Sequence, residues 1–182
     1  MSQTYCEYCI THPDDTFNKN YHETQYGFPI DDDNLLFERL VLEINQAGLS
    51  WITILKKADH FHKAYNGFDI KKVANYTEAD RARLLADAGI IRNRLKVNAA
   101  IVNAQKILEL QKEHGSFKNW LDKNHPLSKE EWVKLFKKTF VFTGGEIVNE
   151  FLMSTGYLAG AHEENCPTFR KVASLRPAWM RK

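Results

Sequence analysis

A chain of 182 residues, 43% of them hydrophobic, can bury about two-thirds of its unfolded surface without staples, which sets the expectation of a single domain over residues 1–182. No run approaches the roughly 20 apolar residues of a membrane-spanning helix, and an odd count of three cysteines behind a polar start argues for a reducing cytoplasm rather than a secreted disulfide framework. The formal charge of +2 conceals an asymmetry: residues 1–50 carry nine acids and two bases, the remainder 14 acids and 23 bases, so a polyanion has more to bind in the larger part.

Residues 1–31 show no clear period and read as irregular structure that needs tethering. Asp31, Asp32 and Asp33 then cap a helix over Leu35 to Ala47, placing negative charge at its positive end. Leu36, Leu40 and Ala47 recur at helical spacing, and Glu43 falls on the same line, so the helix directs a carboxylate inward with its apolar stripe. A buried ionised carboxylate is costly, so either the protein or a ligand must supply donors or positive charge. Gly48 reads as the left-handed stop of that helix and Ser50 as the cap of the next, which begins at Trp51 and runs to about Tyr65. The plain alternative is that Glu43 bonds a neighbouring backbone or basic group and Trp51 is core.

Gly67 and Asp69 start a short turn of helix through Ala74. Thr77 to Asp80 resembles a capping box opening Arg81 to Ala86. Asp87-Ala88-Gly89-Ile90-Ile91-Arg92-Asn93-Arg94-Leu95-Lys96 then joins a helix end to a basic helix start, the pattern of a helix-hairpin-helix over about residues 81–106. A glycine-bearing turn aimed at a helix N-terminus exposes N–H groups to a phosphate, and Arg92, Arg94 and Lys96 add charge. The helix continues to a stop at Gly115. Ser116 to Leu121 forms a short helix, Ser128 to Glu131 a capping box, and Thr143 to Glu146 a second box opening Ile147 to Thr155. Phe140 to Phe142 is extended, with no strands to make a sheet. The tail from Pro167 to Lys182, with five bases and no acid, is expected to be a mobile basic arm or a frayed end.

Soft and imidazole ligands sit in three separated places: Cys6 and Cys9, His22, and His162 with Cys166. Four such ligands suit a tetrahedral zinc ion, and a shell filled by protein side chains leaves no position for an activated water, so the metal would be structural. Spacing leaves open whether Cys6 or Cys9 contributes.

Taken together, Cys6-x-Tyr8-Cys9, Tyr21-His22-x-x-x-Tyr26-Gly27-x-Pro29, Leu42-Glu43-x-x-Gln46-Ala47-Gly48-Leu49-Ser50-Trp51, Asp87-Ala88-Gly89-Ile90-Ile91-Arg92 and His162-x-x-x-Cys166 resemble the bacterial 3-methyladenine DNA glycosylase I family. The resemblance implies an all-α helix-hairpin-helix fold, its N- and C-terminal segments tethered by one structural zinc. It also implies a monomeric, monofunctional enzyme without lyase activity that flips 3-methyladenine out of double-stranded alkylated DNA and hydrolyses its N-glycosidic bond. Carried over by residue, it makes Glu43 the base-reading catalytic group, Tyr8, Tyr21 and Trp51 the stacking wall, and Cys6, His22, His162 and Cys166 the zinc ligands. Gly48 and Leu49 would enter the gap in the duplex, and Gly89 and Arg92 would meet phosphates. Tyr8 and Tyr26 replace family tryptophans, the stretch between Cys9 and His22 is longer than usual, the segment 124–128 is shorter, and Glu146 stands where a smaller residue is usual. Two rivals remain at this level: a non-catalytic zinc-stabilised DNA-binding module, and a zinc hydrolase, which would need an open coordination position.

Overall fold

The computed structural model describes residues 3–181; Met1, Ser2 and Lys182, which fall in segments discussed above, lie outside them. Two short helices, α1 (Tyr5–Thr11) and α2 (Thr16–Thr24), occupy the stretch expected to be irregular. Each is capped by its own sequence. Thr4 and Glu7 form a reciprocal capping box on α1, and the Asp15 carboxylate accepts from the Asn18 N–H at the start of α2. Helices of seven and nine residues are too short to display a convincing period, which is why the apolar pattern misses them.

The aspartate cluster divides its work. Asp32 caps α3 (Asp33–Gln46) through the Leu35 N–H at 2.9 Å. Asp33 instead reaches across the fold to accept from the N–H groups of Phe117 and Lys118, at 2.8 and 3.0 Å, which open a helix far along the chain. Leu36 and Leu40 on α3 are fully buried, as the spacing required, and so is Ile44, whereas Ala47 falls at the C-cap and is only half-buried. α4 (Trp51–Ala64) follows, a turn of 3-10 helix (Asn66–Phe68) leads into α5 (Ile70–Ala74), and α6 (Glu78–Ala86) precedes the long α7 (Arg94–His114). Asp80 accepts from the Thr77 N–H and hydroxyl, which fixes the entry to α6.

α7 packs against α3, α5, α6 and α8 (Phe117–Asn124), and presents Ala99, Ala100, Ile101, Ala104 and Ile107 as a buried stripe. α9 (Lys129–Thr139) starts at the expected Ser128–Glu131 box. α10 (Gly145–Ser154) starts otherwise than expected: Gly144 is the cap, and the Thr143 hydroxyl donates to Phe140 O instead. The segment 140–142 is held as irregular backbone by Asn103, which exchanges two hydrogen bonds with the Val141 main chain. The C-terminal tail is neither mobile arm nor frayed end. It forms α11 (Pro167–Ser174) and a 3-10 turn (Ala178–Met180), and the Trp179 N–H donates to Gly156 O at 3.2 Å. No strand occurs among the described residues, so the all-α expectation holds.

Candidate active site and metal centre

The organising corner is the junction of α3 and α4. Gly48 has φ +81°, so the turn uses the left-handed region that a side chain resists. Leu49 N–H donates to Gln46 O and the Gln46 side chain donates to Leu49 O, both at 2.7 Å, leaving Leu49 itself exposed on a tight loop. Ser50 caps α4 without a side-chain bond to its backbone; its hydroxyl meets that of Thr53 at 2.8 Å.

One turn back from this loop Glu43 is only 4% exposed, yet no hydrogen bond or ion pair within the described residues reaches its carboxylate. The nearest cation, Arg39, is committed elsewhere, donating to Tyr21 Oη, Ser154 O and Gln25 Oε1. Burial pushes the Glu43 carboxyl up to about 8; Arg39 pulls it down and Glu150 pushes it further up. The carboxylate faces a cavity of about 370 Å³ lined by Tyr5, Tyr21, Tyr26, Glu43, Gln46, Trp51, Glu146 and Glu150, within the size range of small-ligand sites. Tyr21 and Trp51 are in contact with each other, ring centroids 5.0 Å apart and tilted by 59°. They therefore form one continuous aromatic wall rather than two faces with a base between them. The Trp51 indole N–H is buried without a partner.

Tyr8 does not join this cavity. Its ring stacks on His12 at 4.3 Å and its hydroxyl donates to Asp15. The side chain that lines the cavity from α1 is instead Tyr5. Tyr5 and Glu150 are lining residues that sequence reading missed. Glu150 lies one turn beyond Glu146 on α10, so the i, i+4 relation was the available signal.

The ligand clusters also converge. Cys6, His22, His162 and Cys166 place their donor atoms within 4.8 Å of one another. The sulfur–nitrogen separations are 3.4, 3.6, 3.7 and 3.9 Å and the two imidazoles approach to 3.2 Å. A tetrahedron with metal–sulfur and metal–nitrogen bonds of about 2.3 and 2.0 Å has edges of roughly 3.3–3.8 Å, so this donor set has the dimensions to hold such a metal. Cys9 stands apart, its thiol directed to Asn18 O at 3.8 Å. Burial pushes His22 down to about 4 and His162 down as well, keeping both imidazoles neutral, the form that ligates. His162 Nε2–H donates to Tyr26 O at 2.6 Å, leaving Nδ1 for the cluster. Tyr26 thus touches the Cys/His cluster with its carbonyl and the cavity with its ring.

On the third face, the hairpin between α6 and α7 is braced from α4: Lys57 Nζ donates to Ala88 O and Gly89 O at 3.0 and 3.4 Å. Gly89 needs no left-handed backbone; a Cβ there would lie 2.9 Å from both Asp87 Oδ1 and His60 Nδ1. Arg92 and Arg94 are exposed at the helix start, whereas Lys96 is buried. Its ammonium donates to Asn45 O and Ala47 O at 2.8 and 2.7 Å, so it ties α7 to the end of α3 and is unavailable to a phosphate.

The methyladenine glycosylase family profile matches residues 11–132. The chain belongs to the methyladenine glycosylase family. DNA-3-methyladenine glycosylase of Haemophilus influenzae is 35% identical over 167 residues, covering 81% of this chain and 90% of that one. DNA-3-methyladenine glycosylase 1 of Escherichia coli is 44% identical over 107 residues, 58% of this chain and 57% of that one. Among solved structures, a variant of 3-methyladenine DNA glycosylase I in complex with 3-methyladenine superposes with a TM-score of 0.80 at 31% identity, covering 88% of this chain and 96% of that one. The enzyme from Staphylococcus aureus gives 0.81 at 31% identity, with coverage of 91% and 97%. The family match therefore embraces Glu43, the Gly48–Leu49 loop and the hairpin, while Cys6, Glu150, His162 and Cys166 lie outside the matched span.

Proposed function

We infer that the protein is a DNA repair hydrolase that removes 3-methyladenine from alkylated DNA by cleaving its N-glycosidic bond. The observation that carries this, beside the family, is the buried carboxylate of Glu43 with no protein partner, open to a cavity walled by Tyr5, Tyr21, Tyr26 and Trp51. A base stacked in a duplex cannot reach such a cavity, so the nucleotide is flipped into it. The methylated purine is a cation when it enters. It brings Glu43 the positive charge and N–H donor that the protein withholds, while the aromatic wall stabilises the cation through its faces.

Alkylation has already made the base a good leaving group. Water attacks C1′, the electron pair of the C1′–N9 bond moves to the purine and neutralises its charge, and the water's proton passes to solvent. The chain's part is to position the nucleotide and to hold the cationic base better than a neutral one. No lysine among the described residues lines the cavity, which supports hydrolysis without a lyase step. Leu49, exposed beside the cavity mouth, fills the gap left in the duplex. Gly89 and Arg92 set the hairpin on phosphates of the same double strand.

The Cys6, His22, His162 and Cys166 cluster holds one structural zinc. With four protein ligands it has no open position, so it acts by tethering α1 and α2 to the C-terminal segment rather than by activating water. The chain works as one domain and as a monomer in the cytoplasm; no helix of the described residues is long and apolar enough to cross a membrane. Chromatographic release of free 3-methyladenine from methylated duplex DNA tests the function. Loss of that release in Glu43→Gln, with folding intact, supports the assigned role, and full retention contradicts it.

A further inference from the structure

The hairpin between α6 and α7 spends much of its backbone on itself. Gly89 N–H donates to Asp87 Oδ1 at 2.7 Å, Ile90 N–H reaches Asp87 O at 3.4 Å, and Asn93 N–H donates to Ile91 O at 3.0 Å. The N–H groups of Ile91 and Arg92 have no partner among the described residues, and they lead directly to the first turn of α7 at Arg94. Gly89 therefore supplies room rather than a donor, and these two amides are left for an anion. The carbonyls of the turn go elsewhere. Ala88 O and Gly89 O both accept from one ammonium, that of Lys57, at 3.0 and 3.4 Å. Lys57 shares a face of α4 with His60, three positions on, and a Cβ on Gly89 would lie 2.9 Å from the His60 imidazole. One helix thus grips the turn twice, at its carbonyls through Lys57 and at Gly89 through His60. The same helix begins at Trp51, which lines the base cavity.

Two adjacent carbonyl oxygens that converge on one point repel each other unless a donor or a cation stands between them. An anion on the neighbouring amides makes the same demand, because a carbonyl oxygen turned toward a phosphate is a repulsive contact. We propose that Lys57 is a positioning residue for DNA binding, its ammonium a fixed cation that holds Ala88 O and Gly89 O aside so that the Ile91 and Arg92 N–H groups meet a phosphate. This rests on the glycosylase reading above. Lys57 stands roughly two helical turns along α4 from Trp51, so the phosphate is set at a fixed spacing from the cavity that receives the flipped base.

The experiment measures, for the full chain, release of 3-methyladenine from methylated duplex DNA and binding of unmodified duplex over a range of salt. Lys57→Met keeps the stem and removes the donor. It should weaken binding and raise KM by about tenfold, the size of a lost charge-assisted bond, with kcat held within about twofold. The slope of log K against log salt should stay at its wild-type value, because the ammonium faces carbonyls and not a phosphate. A slope smaller by about 0.9 marks a direct phosphate contact and overturns the proposal, as does an unchanged affinity. Lys57→Ala should regain binding in ethylammonium chloride, which can donate to the two carbonyls, but not in tetramethylammonium chloride at equal ionic strength. Equal behaviour in the two salts overturns the proposal. A wild type that releases no base contradicts the glycosylase reading, while the binding measurements still judge Lys57. Should both variants fail to fold, amide resonances of the wild type titrated with unmodified duplex decide the matter: the largest shifts at Ile91 and Arg92, with Gly89 little moved, support the proposal, and the reverse order overturns it.

Discussion

Glu43 shows what one misplaced charge does to a fold. Its carboxyl is pushed up to about 8, first by burial, with Arg39 opposing and Glu150 reinforcing. Between the ordinary carboxylate value near 4.3 and about 8 the folded chain binds a proton there that the unfolded chain releases. The contribution of this group to stability is thus complete below the ordinary range and is lost as pH rises through about 8. Glu43→Gln should consequently gain stability relative to the wild type by on the order of 4 kcal/mol between pH 5 and pH 9, read from urea midpoints; a difference independent of pH contradicts the assignment. The groups facing Glu43 are Arg39, Glu150 and Glu146, with the neutral phenols of Tyr21 and Tyr26. In the free enzyme kcat/KM should rise with pH to a plateau near 8, and that limb should vanish in the glutamine variant. A second residue-scale test is Gly27, at φ +80°, where a Cβ would sit 2.8 Å from Ala161 Cβ and 3.3 Å from the His162 ring. Gly27→Ala should cost about 2 kcal/mol or more and weaken metal retention, measured by denaturation and metal analysis.

Elements were legible in proportion to their length and caps. The Ser128 box and the Asp32 cap announced α9 and α3 correctly. Thr143 also matched a box and was wrong, because Gly144 takes the cap position and the threonine hydroxyl has a backbone carbonyl within reach. Thr4-x-x-Glu7 was a true box overlooked for want of a periodic run behind it. Tyr5 was a residue that no pattern announced: it lines the cavity, while Tyr8, three positions further along α1, stacks on His12. Lys96 illustrates another limit: a lysine in a basic cluster looks like a phosphate ligand until its ammonium is found between the last carbonyls of α3. Through it the start of α7 is tied to the carbonyls just before the Gly48–Leu49 loop. Lys96→Met, which keeps the stem and removes the donor, should destabilise the protein by about 2 kcal/mol and lower kcat/KM on duplex DNA more than that on single-stranded DNA, because loop and hairpin lose their common register. Equal loss on both substrates contradicts the coupling.

At the scale of the whole molecule the all-α fold and the converging ligands could be read from sequence, but the choice between Cys6 and Cys9 could not. It depends on which face of α1 meets the C-terminal segment, a tertiary fact. The cluster closes the chain, with His162 bonded to Tyr26 O and the neighbouring Glu163 accepting from the Thr4 hydroxyl at 3.0 Å. Stripping the metal should therefore lower Tm by several degrees and reduce activity by loosening Tyr5, Tyr21 and Tyr26 together, with about one zinc per chain in the active preparation; a fully stable, fully active metal-free protein contradicts this.

The most direct test of the whole account is release of free bases from methylated duplex DNA by the wild type and Glu43→Ala side by side, with folding of both verified. The wild type should release 3-methyladenine and the variant at least about a hundredfold less; equal release by both, or none by the wild type, contradicts the role of the Glu43 corner.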